Sequence, residues 1–387
     1  MKERLLIDNF DKFGGRHCQT TALMTIMDYN NLTFREEMLL GLGGGLGFIY
    51  WYMKKMPAPF IGGRTGGQNE EFMLNMLNRL GGKGELYRTG SLKKGYEQLK
   101  NILRAGQPAY VYGDMAYLPY MAIPEDAHFG YHTFVVYGVD EETNTVFIGD
   151  RGKKGVTTTI DELNRARNSK YPPFPPKNQL LLVNLPAKKI DLRPGILEAI
   201  RDCAYQMMNP PIKNFGLAGI KKWATLVPKW SHMFKGLELF ACLFNVFIYI
   251  EIGGTGGSSF RPMYADFLRE AAALLNKPGL EEAASLFGDS AKVWSEIATL
   301  ALPDSWPSLA KVRKLCFEKN RLFEEQKQDA LTEMLRIEEK MASFMNTIEK
   351  EMETKDISGL LGKLQNKINK LYIAEEEAFR TMAEAIQ

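Results

Sequence analysis

The sequence predicts an α+β domain followed by an all-helical domain, and three observations predict it. The first half alternates helical and strand signals and contains one clear antiparallel hairpin. From Gly195 onward apolar residues recur almost entirely at helical spacing. Between the halves, the run Tyr171-Pro172-Pro173-Phe174-Pro175-Pro176 excludes regular structure, and a last short strand follows it. The expected domains are therefore 1–187 and 188–387.

Along the first domain, Thr20 to Asn30 reads as a helix with Ala22, Leu23, Ile26 and Met27 on one face. Gly41-Leu42-Gly43-Gly44-Gly45-Leu46-Gly47-Phe48 reads as a flexible loop entering a strand. Pro57, Pro59, Gly62, Gly63, Gly66 and Gly67 mark a long loop before a helix from Glu70 to Leu80. Leu92 to Arg104 is the next helix, and Pro108 to Gly113 starts a strand-rich section. His132 to Val139, the polar turn Asp140 to Asn144, and Thr145 to Asp150 form the hairpin. A short helix at Ile160 to Arg167 and a strand at Leu180 to Asn184 complete the domain.

The second half is read as helices at Ile196 to Met208, around residue 240, and at Tyr264 to Leu275. Further helices run over Leu280 to Leu300, Leu309 to Ile348 and Leu360 to Ala385. Met341, Met345, Ile348 and Met352 form an amphipathic stripe, expected to pack in a core. The amphipathic helices after residue 310 are also suited to pairing two copies as a homodimer. The apolar run Leu239 to Ile250 is shorter than the about 20 residues a bilayer-spanning helix needs, so no membrane span is expected.

The net charge of +3, with basic and acidic residues interleaved, argues against a nucleic-acid partner. Cys18, Cys203, Cys242 and Cys316 show neither metal-ligand spacing nor a disulfide framework. No metal site is expected, and a reducing cytoplasm suits these thiols, with no secretory signal at the start of the sequence.

The chemistry centres on Phe13-Gly14-Gly15-Arg16-His17-Cys18-Gln19-Thr20-Thr21. A glycine-rich turn delivers Cys18 to the first turn of a helix, where unsatisfied N–H groups and the helix dipole favour a thiolate. The hairpin supplies a base. With its turn centred near residue 141 or 142, His132 faces Asp150 directly or diagonally, and an even register puts both on one face. The candidate triad is Cys18 as nucleophile, His132 as general base and acid, and Asp150 as the group that orients the imidazole. Gly149-Asp150-Arg151-Gly152 is also good turn chemistry, so Asp150 has a second, structural reading. His128 competes with His132, His17 adjoins the nucleophile, and His232 belongs to the helical half. The Cys18 N–H would serve an oxyanion hole. Gln19 and Asn9 are candidates for its second donor, although neither matches the upstream glutamine of papain-like enzymes.

Gly15-Arg16-His17-Cys18, the loop Gly41 to Phe48, the segment His132 to Asp150, and Leu163 to Arg167 with the Pro-rich tail through Asn178 together resemble the N-terminal domain of the butirosin-biosynthesis protein H family. The resemblance spans roughly residues 10–185. From about 190 to 370 the chain resembles the helical domain of unknown function that often follows, marked by Gly253-Gly254-Thr255-Gly256-Gly257, Arg261, Tyr264, Phe267 and Leu268. The resemblance implies a papain-like cysteine fold. It also implies an acyltransferase of natural-product biosynthesis, which takes an acyl group from a thioester and forms an amide with an amine. The substrate would be an acyl-pantetheine thioester on an acyl carrier protein or coenzyme A, with no bound cofactor. A cysteine peptidase or amidase using the same triad is the alternative enzyme, and a non-catalytic protein binding a carrier protein or peptide is the alternative without chemistry.

Two further segments are candidates for substrate contact. Gly43, Gly44, Gly45 and Phe48, and the loop at 56–69, would cover the site and exclude water, or be plain connections. Gly254, Thr255, Gly256 and Gly257 with Arg261 would bind an anion such as the pantetheine phosphate, or form a tight turn in which Arg261 meets a carboxylate. They are not a P-loop, because no Lys-Ser/Thr pair follows.

Overall fold

The structure, a computed structural model, describes residues 2–54, 56–64, 69–172, 174–187 and 190–387. Its strands are β1 (Arg4–Leu6), β2 (Ile49–Trp51), β3 (Phe60–Gly62), β4 (Lys83–Tyr87), β5 (Ala109–Gly113), β6 (His132–Asp140), β7 (Thr145–Gly149), β8 (Val156–Thr159) and β9 (Leu180–Asn184). The helices begin with α1 (Cys18–Tyr29), α2 (Glu36–Leu42), α3 (Asn69–Arg79), α4 (Leu92–Arg104) and α5 (Ile160–Arg167). They continue with α6 (Arg193–Met208), α7 (Gly216–Leu226), α8 (Trp230–Met233), α9 (Gly236–Phe247) and α10 (Arg261–Leu275). The set closes with α11 (Gly279–Ala301), α12 (Pro307–Glu325), α13 (Ala330–Ala342), α14 (Met345–Thr354) and α15 (Ile357–Ala385).

An N-terminal α/β region with an antiparallel sheet and a C-terminal helical region are both present, but the chain forms its two compact units by exchanging segments. The sheet unit comprises Met1–Glu36, Gly81–Ile190 and Glu318–Lys340; the helical unit comprises Glu37–Leu80, Asp191–Phe317 and Met341–Gln387. A single boundary at 187 does not describe them. Residues 37–80 join the helical unit because their apolar side chains are core there: Phe48, fully buried, stacks on Trp223 at 5.8 Å and lies 6.0 Å from Trp294.

In the sheet unit the strand order is β4-β9-β5-β6-β7-β8, antiparallel throughout, and β1 pairs with the far end of β6. β5 is buried at every position and β6 at all but Tyr137, as befits central strands rich in β-branched and aromatic residues. Local capping chemistry sets the helix starts. Ser91 Oγ accepts the Lys94 N–H before α4, and Thr159 and Glu162 close a capping box before α5.

The register of the hairpin decides the site. Asp140, Val139 and Gly138 face Thr145, Val146 and Phe147, after which a bulge at Tyr137 shifts the pairing to Val136 opposite Ile148 and Val135 opposite Gly149. At the turn the pairing is centred half a residue beyond 142, and the extra residue at 137 restores the even register centred on 142, the diagonal arrangement of the expectation. Without it, the position after Gly149 would face Val135, and the Asp150 side chain would leave the sheet on the side opposite His132.

In the helical unit α15 packs along α11 and also contacts α6 and α7. At the heart of this unit Arg261, fully buried, donates from Nε and Nη2 to the two carboxylate oxygens of Glu375, at 3.0 and 2.7 Å. Its remaining N–H groups reach the carbonyls of Gly63, Ser259 and Gly47. Glu375 also accepts from Trp294 Nε1 at 3.0 Å and from Ser290 Oγ. The anion-binding expectation for Arg261 is thereby corrected, because its charge is already matched inside the core. The glycine segment is a tight turn: the Thr255 hydroxyl donates to the Ile250 carbonyl and accepts the Gly257 N–H, and Gly254, Gly256 and Gly257 take positive φ.

Other expectations also change. Met341, Ile348 and Met352 are buried, so their stripe is core. The helix read over 309–348 is three helices, with breaks that include left-handed Gln326 and Asp329. No helix among the described residues is long and apolar enough to cross a membrane.

Removing one partner of the buried pair leaves a charge without a counter-ion. Glu375→Ala is expected to lower the unfolding free energy of the helical unit by about 3–5 kcal/mol. Urea unfolding followed by tryptophan fluorescence checks this, and an Arg261→Met/Glu375→Leu double variant should recover much of the loss.

Candidate active site

Cys18 is the first residue of α1, and its presentation depends on a carboxylate distant in sequence. The helix has no acidic residue in its first turn, and its N-cap, His17, makes no side-chain cap. Buried Glu36 instead anchors the turn before it, accepting the N–H groups of Arg16 and His17 at 2.8 and 2.9 Å and the hydroxyls of Thr20 and Thr21 at 2.7 and 3.1 Å. Gly15 is required by close approach, since a Cβ there would lie 2.0 Å from Thr21 Oγ1. Cys18 is partly exposed, whereas Cys203, Cys242 and Cys316 are buried.

His132, at the start of β6, places Nε2 2.7 Å from Asp150 Oδ2, and its charge acts on Cys18. Nδ1 is thus the nitrogen left to serve the thiol. Asp150 is buried and fully engaged: Oδ2 also accepts the Tyr120 hydroxyl at 2.9 Å, and Oδ1 accepts the Arg151 N–H at 2.7 Å. The backbone bond from Arg151 holds the carboxylate toward His132.

The electrostatics follow from burial opposed by charge. Burial alone pushes the Cys18 thiol up, but the hydrogen bond and charge of His132, helped by Thr133, bring it down to about 7. Burial pushes the His132 imidazole down, but the charge and hydrogen bond of Asp150, then Cys18, raise it to about 9. Burial raises the Asp150 carboxyl, and His132 and Arg151 outweigh it, holding the group below its ordinary value. Between about 7 and 9 the site is thus a thiolate–imidazolium pair beside a carboxylate. The other thiols show what burial does without such a partner: Cys203 and Cys242 are pushed up to about 11 and about 12.

The competing histidines are engaged elsewhere. His128 Nδ1 lies 2.9 Å from buried Asp114, and its ring stacks on Tyr171 at 3.4 Å. His17 is buried, with Nδ1 3.3 Å from Thr20 Oγ1. His232 lies in α8 of the helical unit.

Neither oxyanion candidate is simple to keep. Asn9 is exposed and lines a polar cleft of about 580 Å³ with Thr25, Asp28 and Asn30, at the C-terminal end of α1. That end is roughly 15 Å from the helix start at 1.5 Å per residue, so Asn9 cannot reach an oxyanion on Cys18. Gln19 adjoins Cys18, but its side chain is buried and its carbonyl accepts the Tyr110 hydroxyl at 3.4 Å.

The cover candidates belong to the helical unit. Gly43, Gly44 and Gly45 line a small cleft there with Arg64, Phe72 and Arg79, and Phe72 packs directly over Gly43. Phe48 is core rather than a substrate contact. Of the 56–69 loop, residues 65–68 lie outside the described residues. Among the described residues no His, Cys, Asp and Glu cluster could hold a metal ion.

Glu36, Tyr120, Thr133 and Arg151 carry no signature in the sequence as parts of the site. Arg151 and Thr133 adjoin Asp150 and His132 in the chain, whereas Glu36 and Tyr120 are brought in by folding.

Because the thiol titrates near 7, Cys18 is expected to react with iodoacetamide at a rate that rises through that pH, while the other cysteines stay slow. Asp150→Asn removes the charge that holds His132 cationic, so the midpoint should move up toward the ordinary thiol range and any turnover should fall roughly 10²–10⁴-fold. Peptide mass spectrometry across a pH series reads the midpoint for each cysteine.

The family model for butirosin biosynthesis protein H, N-terminal, matches residues 17–151, opening one residue before Cys18 and closing one residue after Asp150. The domain of unknown function DUF4872 matches residues 161–315. No curated protein matches the chain. The chain thus carries, in this order, a butirosin biosynthesis protein H N-terminal domain and a domain of unknown function.

Proposed function

We propose that this protein is a cysteine acyltransferase of natural-product biosynthesis, moving an acyl group from a pantetheine thioester to an amine. The observation that carries the reading is a partly exposed thiol held near 7 by a histidine that a buried carboxylate keeps cationic. A biosynthetic family agrees with it. A nucleophile at the head of a helix, facing a histidine on an antiparallel sheet, also supports a papain-like reading of the sheet unit.

In the proposed cycle the Cys18 thiolate attacks the thioester carbonyl, and the tetrahedral oxyanion is met by the Cys18 N–H at the helix start. Collapse breaks the carbon–sulfur bond to pantetheine, whose thiolate takes a proton from the His132 imidazolium. Exchange of one thioester for another is nearly balanced in energy, so the acyl-enzyme forms at little energetic cost. The amine then attacks, His132 accepts its proton, and Cys18 leaves as the thiolate with the amide formed. Asp150 keeps the imidazole in the tautomer and orientation that both steps need. No cofactor takes part, the acyl donor is an acyl carrier protein or acyl-coenzyme A, and a reducing cytoplasm suits the reactive thiol.

Brief incubation with a panel of acyl-pantetheine thioesters, followed by intact-protein mass, tests this. Wild type is expected to gain one acyl group, Cys18→Ala none, and added amines should discharge the adduct as amide. Discharge by water with amines ignored would replace transfer by hydrolysis. No adduct from any thioester, with Cys18 alkylated no faster than the other cysteines, would leave a binding protein.

A further inference from the structure

We infer that residues 318–340 brace the Cys18–His132–Asp150 site, with Arg151 as the positioning residue through which the brace acts. The inference rests on the reading of Cys18 as a nucleophile. It concerns residues that lie beyond both matched domains, the second of which ends at residue 315.

The segment holds both flanks of Asp150. On one flank, the Lys153 N–H donates to the Glu324 carbonyl at 2.9 Å and the Lys154 N–H donates to Gln326 Oε1 at 2.9 Å. Gly152, just before them, presses on the Gln326 amide so closely that a Cβ would meet it at 2.2 Å. The Arg151 guanidinium lies over the ring of buried Phe323, 5.0 Å from its centre, and 4.0 Å from the Glu324 carboxylate. It also donates to the Arg16 carbonyl at 3.4 Å, two residues before Cys18, while its backbone N–H holds Asp150. One residue thus ties the nucleophile's turn, the carboxylate and the brace together.

On the other flank, Lys319 Nζ donates to the Ala122 carbonyl at 2.5 Å and pairs with Glu338. Ala122, at φ 47, ends the short 3₁₀ turn Pro119–Met121 that carries Tyr120, the second donor to Asp150 Oδ2. The backbone of the segment is shaped for this contact. Gln326 and Asp329 take left-handed φ of 45 and 70, which a free helical sequence with this periodicity would not adopt.

The charged and titratable groups around the pair are Asp150 and Tyr120 beyond His132, Tyr110 and Tyr112 near Cys18, Glu36 at the helix start, and Arg151. Of these, the brace touches Arg151 directly and Tyr120 through its turn. Loosening it should let Asp150 drift from His132, weakening the imidazolium and with it the thiolate.

The test is the pH dependence of Cys18 alkylation by iodoacetamide in the full chain, comparing wild type with Gln326→Ala, Phe323→Leu, Phe323→Tyr and Gly152→Ala. Far-UV circular dichroism and thermal melts confirm that each variant is folded. Gln326→Ala and Phe323→Leu should slow alkylation at pH 6 by roughly tenfold, the effect of one unit in the apparent pKa. Phe323→Tyr, which restores an aromatic face for Arg151, should return to the wild-type profile. Gly152→Ala reaches the same contact from the opposite side and should behave as Gln326→Ala. Lower melting temperatures with an unmoved wild-type midpoint would make the segment a structural support only and overturn the brace. An ordinary thiol midpoint in wild type would instead overturn the nucleophile reading, and the brace with it.

Discussion

The sheet unit's chemistry depends on one buried carboxylate. Asp150 sits where water cannot screen it, and an anion in that position is tolerable only if its lone pairs are met. His132, Tyr120 and the Arg151 N–H meet them. The same low-dielectric surroundings make Asp150 strong enough to hold a buried imidazole in its charged form. That imidazolium then reverses what burial would do to Cys18. Cys203 and Cys242, buried without such a partner, are pushed the other way.

The helical unit contains the complementary case. Arg261 and Glu375 are as deeply buried as Asp150, but every strong donor of the guanidinium and both carboxylate oxygens are taken by fixed partners. Such a closed network specifies how Gly47, Gly63 and three helices meet, and leaves the guanidinium no donor to offer a ligand. The pair at Cys18 is open instead, because His132 spends one nitrogen on Asp150 and keeps the other for the thiol. Two buried ionic clusters in one chain thus serve opposite ends, one static and one reactive.

Much of the site was legible before its geometry. Cys18 stood out because a glycine turn before a helical period is a local pattern, and His132 because a strand period and turn residues mark a hairpin. Phe48 shows the limit of such local patterns: the glycines before it look like a mobile loop, and nothing local announces Trp223 and Trp294 as its neighbours. Arg261 stood open between an anion site and a carboxylate partner until Glu375 appeared beside it. The long helix expected over 309–348 kept its period through residues 326–329, where docking on Lys154 bends the chain out of it.

By itself, then, the sequence determined the kinds of element, their order, and the residue types able to do covalent chemistry, because period, capping and turn preference act over a few neighbours. Only the tertiary structure decided that the Tyr137 bulge turns Asp150 toward His132, that Glu36 anchors the turn before the nucleophile's helix, and that segments 37–80 and 318–340 change units. It also decided the acidity of Cys18, because a pKa depends on burial and on charges brought close by folding rather than on the neighbours in the chain.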